Sequence, residues 1–132
     1  MTVEEFFGTL QESITAAWRK HLQSDKNSEH EILNTFYEEM PDLVDALIEA
    51  YQADHYVLKD YSNLLSEDMT PVKYLTELKR ITLEGRELMD SPELESLCDD
   101  ILTQIDSTLY KLKHLVRESC MSLSRFLTSC LD

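Results

Sequence analysis

Four side chains in the first half of the chain have the types and spacing to hold a metal ion: His21, His30, Asp45 and Glu49. Imidazole nitrogen and carboxylate oxygen form a borderline donor set, suited to ferrous iron or zinc. On a helix Asp45 and Glu49 fall about 40° apart, one turn from each other on a common face. His30 is within about 60° of Asp45 in angle but some 22 Å away along the axis. One straight helix cannot bring His30 and Asp45 to the same ion. A second copy packed antiparallel can, setting His21 and His30 of one chain against Asp45 and Glu49 of the other. The same residues also have a plain reading. Acids recur every few positions in a chain with 26 of them, and a histidine near a helix end is commonly a cap or a surface group.

The elements that must position these residues are helices. Val3, Phe6, Leu10, Ile14, Ala17 and His21 follow one another by three or four, the stripe of an amphipathic helix. Thr2 ahead of Glu4 and Glu5 supplies its cap and favourable charge near the positive end of the dipole. The polar run 23–28 is a turn, with Asn27 or Ser28 as the next cap. A second helix is expected from Glu29 to Ala53, with a kink or local break at Pro41, which lacks a backbone donor. Residues 54–70 read as a connection with one short helix, Tyr56 to Leu65. Thr70-Pro71 starts a third helix ending near Met89, and Ser91-Pro92 starts a fourth that carries Leu94, Ile101, Ile105, Leu109 and Leu112. Helical spacing continues through Met121, Leu123, Phe126 and Leu127, so residues 117–132 read as a helical C-terminal extension. The expected fold is all-α: a ferritin-like four-helix bundle, two hairpins joined by a longer connection between helices two and three.

Composition narrows the function classes. With 132 residues and 42% hydrophobic side chains the chain is one domain able to bury a core. Two glycines and three prolines are too few for a fold of many short strands. Twenty-six acids against twelve bases give a formal charge of −14, which opposes binding to nucleic-acid phosphates. No apolar run approaches the roughly 18 residues of a membrane span, and the acidic N-terminus does not resemble a signal peptide, so a soluble cytoplasmic protein is expected. Cys98, Cys120 and Cys130 show no C-x-x-C or zinc spacing and read as free thiols of a reducing compartment. His55 and His114 read as surface groups. The chain has no nucleophile triad, glycine-rich phosphate loop or basic-aromatic patch.

The stretch His30-Glu31-Ile32-Leu33, then Phe36, then Asp42-Leu43-Val44-Asp45-Ala46-Leu47-Ile48-Glu49 resembles the ferroxidase segment of the Dps proteins, the mini-ferritins. The fourth-helix pattern Leu94, Leu97, Ile101, Ile105, Leu109, Leu112 is similar to their last helix, and the likeness covers roughly residues 14–116. Ferritin-like proteins of tailed phages are also similar, in the His21-x8-His30 spacing and in Phe36-Tyr37-Glu38. The resemblance implies a homodimer or larger homo-oligomer with an iron site shared across a two-fold interface. In it His21 and His30 supply imidazoles, Asp45 bridges or terminates, and Glu49 holds the ferrous ion that oxygen or peroxide oxidises. Zinc is the other metal this donor set suits. Asn34 stands where the family often carries a further acid, and no lysine-rich arm precedes the first helix, so DNA binding is not expected to accompany the fold. The alternative is a non-catalytic bundle that binds or assembles with a host factor, a small ligand or a viral protein, in a phage-encoded setting within the host cytoplasm.

Overall fold

The computed structural model describes residues 1–117, and the expected helical extension beyond them, with Cys120 and Cys130, lies outside the described residues. Four helices follow one another: α1 (Val3–Gln23), α2 (Asn27–Asp54), α3 (Pro71–Arg86) and α4 (Pro92–His114). Three start as their sequences specify. Thr2 closes a capping box with Glu5, its hydroxyl accepting from the Glu5 N–H while the Glu5 carboxylate accepts from the Thr2 N–H. Thr70 and Ser91 accept from the third residue of α3 and α4, each with a proline in the first turn. At α2 neither Asn27 nor Ser28 caps, because the helix begins at Asn27 itself and Lys26 offers no side-chain oxygen. The Ser28 hydroxyl instead accepts from the Arg117 N–H at 2.7 Å, joining the start of α2 to the residues just after α4.

Of the expected kink or local break at Pro41, the break does not occur: α2 is one helix from Asn27 to Asp54. Pro41 is half-buried between the core residues Met40 and Val44, and their packing holds the helix together across the missing backbone bond.

The helices pack in the cyclic order α1, α2, α4, α3, each antiparallel to its neighbours. Phe7 near the start of α1 meets the Tyr51 ring near the end of α2, edge-on at 5.4 Å. Arg86 of α3 forks onto Asp99 of α4, and Lys79 reaches Asp106 one layer further along. This order needs one connection that travels the length of the bundle, as ferritin-like folds have. The core it encloses includes Phe6, Phe7, Leu10, Leu33, Phe36, Met40, Leu47, Leu75, Leu78, Leu94 and Ile101, all at most 1% exposed.

The connection, residues 55–70, corrects the sequence expectation, because it contains no helix from Tyr56 to Leu65. From Ser62 onward the reason is distance. Ser62 lies beside Glu4 at the start of α1 and Met69 beside Lys20 near its end. Those two points of α1 are about 24 Å apart, and seven residue steps cover that only at about 3.4 Å each, nearly full extension. The segment bonds to α1 as well as through short turns of its own at Asn63, Ser66 and Glu67. The Ser62 N–H donates to the Glu4 carbonyl at 3.2 Å, and the Leu64 N–H donates to the Thr9 hydroxyl at 2.9 Å. Leu58 and Leu65 are its two buried anchors.

Both glycines of the chain serve this packing, not turns. A methyl group on Gly8 would overlap the Ser62 backbone where the connection crosses α1, and one on Gly85 would overlap the Phe6 ring. α1 is accordingly buried on two stripes. The apolar stripe of the sequence faces the core, and a second one, Thr9, Ser13, Ala16 and Lys20, lies under α3 and the connection.

Candidate functional site

His21 sits in the last turn of α1 and His30 in the first turns of α2, with Ser24, Asp25 and Lys26 between the helices. The Ser24 hydroxyl closes this turn, accepting from the Lys26 N–H at 3.2 Å. So short a connection brings the two histidines face to face, with ring centroids 3.5 Å apart and planes inclined by 24°. Each ring bonds the other residue's backbone. His21 Nδ1 donates to the His30 carbonyl at 2.7 Å, and His30 Nδ1 donates to the His21 carbonyl at 2.8 Å. The second bond satisfies one of the four carbonyls that every helix leaves open at its C-terminus.

This exchange fixes which nitrogen carries hydrogen. A carbonyl only accepts, so Nδ1 is the donor on both rings. In the neutral form of each ring Nε2 then keeps its lone pair, as in histidine metal ligands whose other ring N–H is held by a carbonyl or carboxylate. His21 is buried and His30 half-buried beside a cleft of about 290 Å³ lined by Ser24, Asp25, Lys26 and Asn27. The Tyr37 ring stands edge-on to His21 at 5.2 Å, and its hydroxyl donates to Asn34 at 2.6 Å. Trp18, half exposed, flanks Tyr37.

The stacking limits what the pair can bind. An ion must lie in the plane of each imidazole that ligates it, about 2.1 Å from the nitrogen. Two planes 3.5 Å apart and inclined by 24° meet far beyond that reach. In this arrangement the two rings cannot share one ion.

Asp45 and Glu49 lie exposed on α2, on the far side of Pro41 from His30. Because α2 is continuous, the axial gap of about 22 Å between His30 and Asp45 stands. The structure thus brings His21 to His30, leaves Asp45 near Glu49, and does not bring the two pairs together within one chain. Among the described residues no group of three or more His, Cys, Asp or Glu side chains is arranged to hold a metal ion.

Other polar groups divide into structural contacts and one that the sequence reading passed over. His55 stacks on Tyr51 and pairs with Asp90 at 3.1 Å, tying the end of α2 to the start of α4. Cys98 is fully buried in α4, and loss of solvation pushes its thiol up to about 12. Lys20 is the one missed: it is 7% exposed and its ammonium donates to two backbone carbonyls of the connection. Its spacing from Ser13 and Ala16 was the available signal, a row of small residues that marks a close approach of another segment.

The architecture defines an all-α protein, a four-helix bundle with a single extended crossover. None of its described helices is long and apolar enough to cross a membrane. Residues 21–112, which include all four candidate ligands, match the model of a family of unknown function (DUF5856), and the chain belongs to that family. No curated protein and no solved structure matches the chain.

Proposed function

We propose that the protein self-associates through the outer face of α1 and α2 and takes up ferrous iron at the joint. In this reading His21 and His30 of one copy meet Asp45 and Glu49 of another, and each ion takes no more than one imidazole from the stacked pair. The observation that supports the reading is the commitment of both Nδ1–H groups to backbone carbonyls, which leaves the lone pair of each neutral ring on Nε2. The exposure of Asp45 and Glu49 on the same helix leaves them free to serve a neighbour. The acidic balance of −14 favours approach of a cation and disfavours nucleic acid.

The test is an anaerobic ferrous titration followed by oxygen, with the mass in solution measured alongside. His30→Asn is the informative variant, because the Asn amide can still donate where Nδ1 did but has no counterpart of Nε2. Saturable binding in the wild type that is lost in His30→Asn and in Glu49→Gln, from an assembly of two or more chains, is the expected result. A strict monomer, or titrations identical in all three proteins, would sink the reading.

A second reading is a bundle that associates without metal. The close stacking of the two rings favours it, since the pair then serves to lock the α1–α2 turn. Exposed Trp18 and Leu22 on α1 offer contact area for a partner. Association that persists unchanged after exhaustive chelation, with no ferrous binding, is its signature.

A further inference from the structure

The backbone at the end of the crossover is held to α1 by one amine, beside the exposed Arg19–Glu67 ion pair. Lys20 Nζ donates to the Glu67 carbonyl and to the Met69 carbonyl, both at 2.7 Å. It also stands over the Tyr74 ring, 5.2 Å from the centroid, within the range of a cation–π contact. The charged groups around it are the Glu67 and Asp68 carboxylates from the crossover and the Arg19 guanidinium from α1, which is engaged with Glu67. Two convergent carbonyls, an aromatic face and two nearby carboxylates suit a compact ammonium, which presents three donors from one centre, better than the flat fork of a guanidinium. A groove of about 640 Å³ lined by Arg19, Gln23, Glu67, Asp68, Met69 and Thr70 opens beside it.

We propose that the Glu67–Met69 turn is a binding site for a primary ammonium group, filled in this chain by Lys20, and that filling it fastens the crossover to α1. The bonds from Ser62 and Leu64 to Glu4 and Thr9 hold the first part of the crossover independently. Loss of the ammonium therefore loosens residues 66–69, between the Leu65 anchor and the Thr70 cap, with only the exposed Arg19–Glu67 pair left to hold them, while the bundle stays folded. The site does not depend on metal binding or self-association, and its test separates from theirs.

Lys20→Ala removes the atoms of n-propylammonium, so that ion is the probe, and n-propanol is its uncharged counterpart. The hydrogen-bonded amides of Asp68 and Met69 are expected to exchange at least tenfold faster in Lys20→Ala than in the wild type. n-Propylammonium is expected to restore protection saturably, and n-propanol is not. Unchanged exchange in a folded Lys20→Ala protein, or equal restoration by both probes, would overturn the proposal. A second measurement uses the wild type alone, so it decides even where the variant fails to fold. Held by two carbonyls, the Lys20 ammonium protons exchange slowly enough to give a proton–nitrogen correlation near neutral pH, and their absence under conditions that reveal slowly exchanging amines overturns the proposal.

Discussion

The Phe6 ring occupies the space that a side chain at position 85 would fill, so α1 and α3 meet where one residue has a large ring and the other has none. The relation recurs at Gly8, over which the crossover backbone passes at Ser62. Alanine at either position gains helix propensity of about 1 kcal/mol, but overpacking of a tight contact costs about 1–3 kcal/mol. Both Gly85→Ala and Gly8→Ala are expected to lower stability in urea unfolding. Gly85→Ala is expected to be partly rescued by Phe6→Leu, which frees room at the ring. Gly8→Ala has no such rescue, because its obstacle is backbone.

Thr9 relays a hydrogen bond from α1 to the crossover: its hydroxyl donates to the Glu5 carbonyl at 2.7 Å and accepts from the Leu64 N–H at 2.9 Å. Thr9→Val keeps the shape and leaves the Leu64 N–H without its acceptor. The expected cost is about 1–3 kcal/mol, with faster exchange of the Leu64 amide as the local readout. Unaltered exchange at Leu64 would show that the bond does not hold the crossover.

The reciprocal bonds of His21 and His30 make the two residues one energetic unit. Alanine at either site breaks the stack and one ring-to-backbone bond, for an expected loss of about 1–3 kcal/mol. The double alanine variant is expected to lose less than the sum of the singles, by about 1 kcal/mol or more, as contacting residues do in double-mutant cycles. His30→Asn retains a donor and should stay closer to wild type than His30→Ala. Strict additivity in the cycle would argue against the interlock.

Cys98 has no exposed surface, and burial raises its thiol to about 12 from an ordinary value near 9.0. Under native conditions at pH 8, wild type and Cys98→Ala are expected to take up thiol reagent at the same rate and extent, differing by one equivalent only after unfolding. The sign of the pH effect follows from the raised value. Between about 9 and 12 the folded chain keeps a proton that the unfolded chain loses, so stability falls as pH rises through that range. Cys98→Ala should flatten that part of the profile.

The sequence by itself determined the four helices, three of their caps and the bundle class. Those signals are local: Thr2 with Glu5, Thr70-Pro71, Ser91-Pro92, and apolar residues three and four apart specify a helix and its buried face before anything packs on it. It also determined that His30 and Asp45 cannot meet within one chain, because the rise of a helix is fixed. Only the tertiary structure decided the rest. From Ser62 to Met69 the crossover is extended because of how far it must travel along α1, a distance that no window of its own residues contains. Pro41 sits inside an intact α2 because its neighbours are held by the core. Lys20 and the two glycines take their roles from segments more than forty residues away. The histidines read as ligands from their spacing, and the fold added that they first hold each other, since the three-residue turn places each ring on the other's carbonyl.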